Sequence, residues 1–315
     1  SLIINLRIGI EMIFSIDVED WCQSVLDNNN PVSDRVLNNT LRLLDLLDEY
    51  DQKATFFTLG NVAAKHPELI RKIVDNGHEI ASHGYNHHSI FNLSPKQVRE
   101  DVGSSVKILE DISGKKVIGF RAPDFSIREY LFEWYCEALA ENGLKYDSSL
   151  FPMKVIRYGI EKEYSLKIFN KYHLNEHYLS YMKLGKMKLP FFGGGYFRIT
   201  PYFITKFLSK ELDQDRGVFY MHPYELDTEE LATMKSEYDH IPLKWRLSQF
   251  VGRSTMEDKL HMLLSEYKFT SFESEYYSKD SISAPRNTLS NLGHKEQGSN
   301  DSYPEISATK ASYSS

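Results

Sequence analysis

The sequence predicts an α/β protein in which helices connect the strands of a parallel sheet. Short apolar runs typical of buried strands alternate along the chain with longer segments whose apolar residues recur at helical spacing. This order is typical of crossover helices between parallel strands. Polar residues follow four of the strands, at Asp17, His83, Arg121 and His222. A closed barrel would gather them on one face, whereas an open doubly wound sheet, the alternative, would bring them together less easily.

The first half of the chain contains the clearest elements. An apolar run at 12–16 predicts a buried strand, and residues 34–50 have leucines at the spacing of an amphipathic helix. A further helix begins at Ser94, with Pro95 in its first turn and Gln97 placed to complete a capping box. Other predicted strands lie at 54–59, 78–81, 117–120 and 144–146, and other predicted helices at 67–76 and 130–142.

The second half gives fewer signals. A long stretch before residue 218 has no clear periodicity and is predicted to be irregular, and it is followed by a strand at 218–221 and a last helix and strand between 256 and 272. After residue 278 the composition turns to Ser, Asn, Lys, Gly and Pro, which cannot bury enough apolar surface to offset the entropy of ordering. We therefore divide the chain into an extension at 1–11, one domain at 12–277 and a disordered tail at 278–315.

Charge, hydropathy and cysteine content exclude several classes of function. The net charge of -7 argues against nucleic acid or an anionic membrane as the main partner. No stretch approaches the ~18 consecutive apolar residues that indicate a membrane span. Cys22 and Cys136 do not form a CxxC motif, and residues 1–11 lack a clear signal-peptide cleavage site. These features predict a cytoplasmic location.

The chemistry of the chain centres on His83 and His87. Histidines four residues apart can face one metal ion in a helical turn or a tight loop, although such a pair alone is weak evidence. With Asp20 they would form a site of two histidines and one carboxylate that leaves positions open for water. Asp17 is then free to act as a general base.

Arg121 and His222 complete this hypothesis. Arg121 can pair with Asp17 and fix its orientation, and His222 can protonate a leaving amine, so the set supports metal-assisted amide hydrolysis. Ordinary structural roles are the alternative: the aspartates as an N-cap and a solvated acid, Arg121 as a surface ion pair, and His222 as a turn residue. The occurrence of all these residues at strand ends, in this order, favours the hydrolytic site.

Five motifs resemble those of polysaccharide deacetylases of the NodB-homology group, also called carbohydrate esterase family 4. They are Phe-Ser-Ile-Asp-Val-Glu-Asp-Trp at 14–21, His-Gly-Tyr-Asn-His at 83–87, Gly-Phe-Arg-Ala-Pro at 119–123, Tyr-Asp-Ser-Ser at 146–149 and Tyr-Met-His-Pro at 220–223. More closely, the chain is similar to the branch encoded with exopolysaccharide and exosortase loci. That branch carries a segment like Gly-Gly-Gly-Tyr-Phe-Arg at 193–198 and a basic segment like the one at 245–252. The resemblance covers about residues 12–273.

The resemblance implies a distorted (β/α)7 barrel, a divalent metal that is usually zinc, and removal of acetyl from an N-acetylated sugar. It assigns the base to Asp17, the acid to His222, the arginine that steadies the base to Arg121, and the metal ligands to Asp20, His83 and His87. It also implies that the backbone N–H of Asp124 helps to stabilise the charge on the tetrahedral oxygen.

The chain departs from the family pattern at the metal carboxylate. The family motif has two adjacent aspartates, whereas Val18 and Glu19 separate Asp17 from Asp20. We assign the metal carboxylate to Asp20, and Glu19 is the alternative.

Two further positions depart from the family pattern, and a third is not expected to take part directly in metal binding. Asp124 stands where the family often has a tyrosine, which predicts a different wall on the substrate side. The motif around Asp147 lacks the usual tryptophan, so Asp147 is a weak candidate partner of His222 or Arg121. His88 is expected near the surface or behind the metal ligands.

A glycine run and four aromatic residues point to sugar binding. Gly193–Gly195 lacks the Lys-Ser/Thr of a phosphate-binding loop, so we expect a tight loop whose backbone approaches the sugar or the metal site. Four aromatic side chains are candidates for stacking on sugar rings, and core packing is an equally good interpretation: Trp21, Tyr158, Tyr196 and Phe197.

The leading hypothesis is an N-deacetylase that acts on N-acetylhexosamine units of a polysaccharide or of its lipid-linked oligosaccharide precursor. Because no export signal is expected, the intracellular precursor is the easier substrate. One alternative is a related C–N hydrolase of a small amide or cyclic ureide, with or without a metal. Another is a carbohydrate-binding protein without activity, which is disfavoured because no base, ligand or acid position is lost.

Overall fold

The computed structural model describes residues 12–150, 162–184, 187–209, 217–237 and 241–276. The predicted extension at 1–11, the predicted tail at 278–315 and Tyr158 lie outside these ranges. Among the described residues, no helix combines the length and the apolar character needed to cross a membrane.

A parallel sheet forms the centre of the fold. Its strands are β1 (Met12–Val18), β2 (Thr55–Thr58), β3 (Glu79–Ser82), β4 (Gly119–Phe120), β5 (Tyr146–Asp147), β6 (Asn175–Glu176), β9 (Val218–Met221) and β10 (Phe269–Thr270). Strands β1 to β6 lie side by side in sequence order, and every pairing in this sheet is parallel. A separate antiparallel hairpin is formed by β7 (Tyr181–Leu184) and β8 (Met187–Pro190).

Strand β1 is the central strand because three others pair with it. Ile13 pairs with Val218 of β9 on one edge and with Thr270 of β10 on the other, and β2 continues that second edge from Ser15 onward. Seven strand positions therefore follow one another in the order β9, β1, β2, β3, β4, β5, β6. Within the described ranges no pairing joins β6 to β9, so the sheet is a curled, partly open barrel.

The helices lie along the strand connections. They are α1 (Arg35–Glu49), α2 (Gly60–Lys65), α3 (Pro67–Asp75), α4 (Pro95–Ser113), α5 (Phe132–Glu141), α6 (Lys162–Lys171), α7 (Gly194–Ile199), α8 (Tyr202–Ser209), α9 (Glu230–Glu237), α10 (Leu243–Trp245), α11 (Met256–Glu266) and α12 (Phe272–Tyr276). In α1 the apolar stripe that includes Leu43, Leu44 and Leu47 is buried against the sheet. Helix α4 begins with the predicted capping box, in which Ser94 and Gln97 exchange hydrogen bonds.

The predicted fold class is confirmed: strands and helices alternate around a parallel, curled sheet, in sequence order and without the reversal of a doubly wound sheet. The prediction of an irregular stretch before residue 218 is wrong, because that stretch contains α6, α7, α8, β6 and the β7–β8 hairpin. Strand β6 has two residues and no repeating pattern of its own, and it is defined only by its pairing with β5.

Candidate active site and metal centre

Asp17 and Arg121 form a buried ion pair at the carboxyl ends of β1 and β4. Arg121 Nη1 donates to Asp17 Oδ1 at 2.6 Å, and both side chains are almost fully buried. The remaining donors of Arg121 reach the carbonyl and hydroxyl of Ser148 and the hydroxyl of Ser15, and its guanidinium lies 4.1 Å from the centroid of the Phe57 ring. The pair predicted from the sequence is therefore present, and Arg121 holds Asp17 in one orientation.

Replacing Arg121 by methionine should lower the free energy of unfolding by about 3–5 kcal/mol, because it leaves the buried Asp17 carboxylate unpaired. Arg42→Met is a matched control, since Arg42 makes a 2.7 Å ion pair with Glu257 on the surface. That change should cost less than ~1 kcal/mol. Denaturant unfolding of both variants is the measurement, and equal losses would contradict the structural role of the buried pair.

A loop after β3 brings His83 and His87 together. The segment is not a helical turn: Gly84 has φ 78° and His87 has φ 57°. The loop is held by backbone contacts, in which Gly60 N–H donates to the Gly84 carbonyl and Asn61 N–H to the Tyr85 carbonyl. The two imidazole centroids are 5.6 Å apart. Of the two geometries that the spacing allowed, the chain therefore adopts the tight loop.

A hydrogen bond at Nδ1 fixes the orientation of the His83 ring. Its Nδ1–H donates to the carbonyl of Arg121 at 2.8 Å, which leaves Nε2 free of a proton and directed at Glu19. A backbone carbonyl in this position is the usual partner of a metal-binding histidine. Arg121 therefore orients the base through its side chain and a histidine through its backbone.

Glu19, and not Asp20, lies with the two histidines. Glu19 Oε2 is 2.6 Å from His87 Nε2 and 3.7 Å from His83 Nε2. The carboxylate of Asp20 is used elsewhere: it accepts hydrogen bonds from the backbone N–H groups of Cys22 and Ser33. These contacts favour Glu19, the alternative that the sequence had left open, over Asp20 as the metal carboxylate.

The chemistry of these three side chains fits a divalent metal. One ligand atom from each of Glu19, His83 and His87 lies within 4.8 Å of the others, and all three residues are buried. His87 Nδ1 is buried without a hydrogen-bond partner, which is unusual for a polar atom in a folded protein. Two imidazoles and one carboxylate are a common ligand set for catalytic zinc.

The contact between Glu19 and the histidines determines the electrostatics of the cluster. Burial by itself raises the pKa of Glu19, but His87, His222 and His83 lower that pKa to about 2. Burial by itself lowers the pKa of His87, but the charge of Glu19 and the contact with it raise the pKa to about 9. Burial lowers the pKa of His83. In the metal-free protein the proton of the cluster therefore resides on His87.

His222 approaches the same cluster from β9. Its Nε2 is 3.4 Å from Glu19 Oε1 and 3.9 Å from Asp17 Oδ2, and 17% of its side chain is exposed. Burial by itself lowers the pKa of His222, but Glu225, Glu19 and Asp17 raise it above its ordinary value. A protonated imidazole with one accessible edge can give a proton to a bound molecule.

Asp124 and Asp147 lie near the site in different roles. Asp124 has a left-handed backbone (φ 56°, ψ 15°), and its carboxylate accepts a hydrogen bond from Ser89 Oγ at 2.7 Å. Asp147 is fully buried and accepts from Tyr135 Oη and Ser149 Oγ. These contacts give Asp147 a structural role at the end of β5. His88 is exposed at the surface.

The aromatic candidates for sugar stacking are mostly core residues. Trp21 is fully buried against Phe250, with ring centroids 4.7 Å apart, and Phe197 is fully buried against Phe219. Tyr196 is 47% exposed and is the one described candidate still available to a ligand. For Trp21 and Phe197 the core interpretation holds, because a ring with no exposed face cannot stack on a sugar.

The glycine run approaches a strand instead of the metal centre. Gly193 (φ 142°) forms a bridge to Tyr220 of β9, and a Cβ atom added at Gly193 would lie 2.4 Å from the Tyr220 carbonyl oxygen. Glycine is therefore required for close packing beside β9, the strand that delivers His222.

Sequence reasoning missed Glu225, a buried carboxylate next to His222. Its Oε2 accepts from the backbone N–H of His222 at 3.1 Å and lies 3.6 Å from His222 Nδ1. A signal was present, since Pro223 follows His222 and a glutamate stands three residues after it, the order of a capping box at the start of a helical turn.

Two family models match successive parts of the chain. Residues 31–146 match the model described as polysaccharide deacetylase, and residues 148–276 match a domain of unknown function, DUF3473. Asp17 and Glu19 precede both matched ranges, and His222 lies in the second. Because β6, β9 and β10 come from the second range, one continuous sheet is built from both.

Curated relatives match about a third of the chain. A peptidoglycan deacetylase from Helicobacter pylori is 35% identical over 109 residues, which are 35% of this chain and 36% of that protein. A peptidoglycan-N-acetylglucosamine deacetylase from Bacillus cereus is 32% identical over 101 residues, which are 32% of this chain and 37% of that protein. The chain thus spans little more than a third of the length of these relatives.

Solved structures of low identity align over most of the chain. Peptidoglycan deacetylase PdaC from Bacillus subtilis aligns with 84% of this chain and 89% of its own, at 14% identity and a TM-score of 0.44. A carbohydrate esterase family 4 pseudoenzyme from Bacillus anthracis aligns with 84% of this chain and 65% of its own, at 16% identity and a TM-score of 0.45. Residues 31–146 of this chain therefore resemble polysaccharide deacetylases, in agreement with the motifs of the NodB-homology type.

Proposed function

We propose that the protein is a metal-dependent N-deacetylase of N-acetylhexosamine units in a polysaccharide or its lipid-linked precursor. The observation that carries this proposal is the convergence of three groups: His222 Nε2 lies 3.4 Å from Glu19 and 3.9 Å from Asp17, and the ligand atoms of Glu19, His83 and His87 lie within 4.8 Å of one another. The named activities of the Helicobacter pylori and Bacillus cereus relatives support it. An N-acetylated glycan such as peptidoglycan is the corresponding class of substrate.

Glu19 Oε2 and the Nε2 atoms of His83 and His87 would hold the metal. A divalent cation bound there supplies Lewis-acid chemistry, which lowers the pKa of water and polarises an amide carbonyl. Asp17, held by Arg121, accepts the proton of the attacking water. His222 donates a proton to the amine nitrogen as the C–N bond breaks. One amide and one water thus yield acetate and a free amino sugar.

The finer assignments belong to the same proposal. Membership of the exopolysaccharide branch is supported by the segment 193–198, whose Arg198 donates to the carbonyls of Ser248 and Gln249 in the segment 245–252. The two segments characteristic of that branch are therefore packed together. Zinc is proposed from the ligand types, and the cytoplasmic location stays a prediction from the sequence.

Acetate release from oligomers of N-acetylglucosamine tests the proposal against its alternatives. We expect release that a chelator abolishes and that added zinc or cobalt restores. Hydrolysis of small amides or cyclic ureides without oligomer deacetylation would favour the C–N hydrolase alternative. Oligomer binding without acetate release, at full metal content, would favour a carbohydrate-binding protein and overturn the proposal.

Metal binding should release about one proton near pH 7, because zinc binds neutral imidazole and His87 carries a proton up to about pH 9 in the metal-free protein. Below that pKa, the apparent zinc affinity should fall by about tenfold for each unit decrease in pH. Calorimetric titration in buffers of different ionisation enthalpy measures the proton count. A count of zero would contradict the protonated His87–Glu19 pair.

A further inference from the structure

Glu225 is a buried carboxylate that the turn after β9 folds back against His222. Pro223–Leu226 forms a single helical turn, and Glu225 is 1% exposed. Its Oε2 accepts from the backbone N–H of His222 at 3.1 Å and lies 3.6 Å from Nδ1 of the imidazole, an ion-pair distance that is longer than a hydrogen bond. The opposite nitrogen of the ring, Nε2, faces Asp17 and Glu19. One edge of the ring thus meets the reacting groups and the other meets Glu225.

The Glu225 carboxylate also faces a buried arginine at ion-pair distance. Its Oε1 lies 3.8 Å from Nη1 of Arg198, which is 2% exposed. Arg198 is anchored in turn by the carbonyls of Ser248 and Gln249. A buried carboxylate with a cation on one side and an imidazole on the other has little freedom to turn away.

Two other contacts restrict the imidazole to this orientation. The ring of Tyr224 stacks on His222 with centroids 4.8 Å apart and planes 11° apart. Asp147, the carboxylate that the sequence offered as a partner of His222, is engaged by Tyr135 and Ser149. Among the described carboxylates, the one that approaches Nδ1 of His222 within 4 Å is therefore Glu225.

We infer that Glu225, held by Arg198, is the positioning residue of His222: it keeps the proton on Nδ1 and directs Nε2 toward the leaving amine. This inference rests on the proposed function, in which His222 is the acid. It gives the Gly-Gly-Gly-Tyr-Phe-Arg segment a role in the reaction, because its arginine holds the carboxylate that orients the acid. The DUF3473 segment then supplies the acid together with its orienting residues.

The test compares two substrates that differ in their need for an acid. An N-acetylglucosamine oligomer has an amine leaving group that must be protonated, whereas para-nitrophenyl acetate releases a phenolate that needs no proton. Glu225→Gln should lower kcat on the oligomer by about 10- to 100-fold, with KM and metal content changed less than about threefold. Hydrolysis of the ester should stay within about threefold of the parent.

Glu230→Gln is the matched control. Glu230 is as buried as Glu225 and pairs with a buried arginine, Arg253, at 2.6 Å, but it does not contact His222. It should cost stability without changing the ratio of oligomer to ester activity. If Glu225→Gln does not fold, Arg198→Lys should give the same selective loss, because a lysine cannot reach both Glu225 and the two carbonyls.

Equal losses on both substrates, or no loss on the oligomer, would overturn the inference. Nitrogen NMR of His222, at a pH high enough for the ring to be neutral, gives a readout that does not need activity: Nδ1 should carry the proton in the parent, and the tautomer should shift in Glu225→Gln. An unchanged tautomer would also overturn it. Failure of the proposed function would look different, since the parent would then release no acetate at any metal content.

Discussion

Replacing Glu19 by glutamine should release the metal, whereas replacing the neighbouring Asp20 by asparagine should not. Glu19 Oε2 is directed at Nε2 of both histidines, and a neutral amide there cannot match a carboxylate as a ligand. We expect the metal affinity of Glu19→Gln to fall by at least about 100-fold. Loss of a residue that only hydrogen-bonds to a metal ligand already lowers metal affinity by about 10- to 100-fold. Metal content after dialysis against a weak chelator is the measurement.

The Asp20 variant is the control with a different expected defect. Asp20 accepts from the backbone N–H groups of Cys22 and Ser33, and its loss leaves buried donors poorly paired. We expect a loss of about 1–3 kcal/mol in the free energy of unfolding, with metal retained. Metal lost from Asp20→Asn and kept by Glu19→Gln would restore the assignment made from the sequence.

Replacing Asp17 by asparagine should lower acetate release by about 10²- to 10⁴-fold while the metal stays bound. Asparagine keeps the size and the acceptor oxygen that faces Arg121 but cannot take a proton from water. The variant therefore separates the base from the metal ligands. Acetate release and metal content should be measured on the same preparation.

The outcome for Asp17→Asn is informative in both directions. Activity within about tenfold of the parent would mean that another group accepts the proton. Glu19 would then be the first group to examine, since its Oε1 lies 3.4 Å from His222 Nε2. Loss of metal together with activity would instead place Asp17 among the ligands.

The contacts of the residues after β1 favour Glu19 over Asp20 as the metal carboxylate. Side chains of an extended chain alternate between two faces, so residues two apart lie on the same face. Asp17 and Glu19, two residues apart, both approach His222, whereas Asp20 accepts from the backbone of Cys22 and Ser33. The spacing of two from Asp17 therefore indicates Glu19.

The other site residues were predictable from the sequence where the end of a strand determines their position. Strand ends placed Asp17, His83, Arg121 and His222 on one edge because parallel strands end on the same side. The role of Arg198 was not predictable, because it depends on contacts between residues 27 and 51 positions apart in the sequence. The burial of Trp21 likewise depends on Phe250, which no local pattern connects to it.

One titration tests the central claim most directly. Metal-free protein is titrated with zinc or cobalt, and bound metal and acetate release from an N-acetylglucosamine oligomer are measured in the same samples. We predict that activity rises in proportion to occupancy and saturates at about one ion per chain, and that Glu19→Gln needs a metal concentration at least about 100-fold higher to bind. Activity that is independent of occupancy, or a bound ion at Glu19, His83 and His87 without acetate release, would contradict the account.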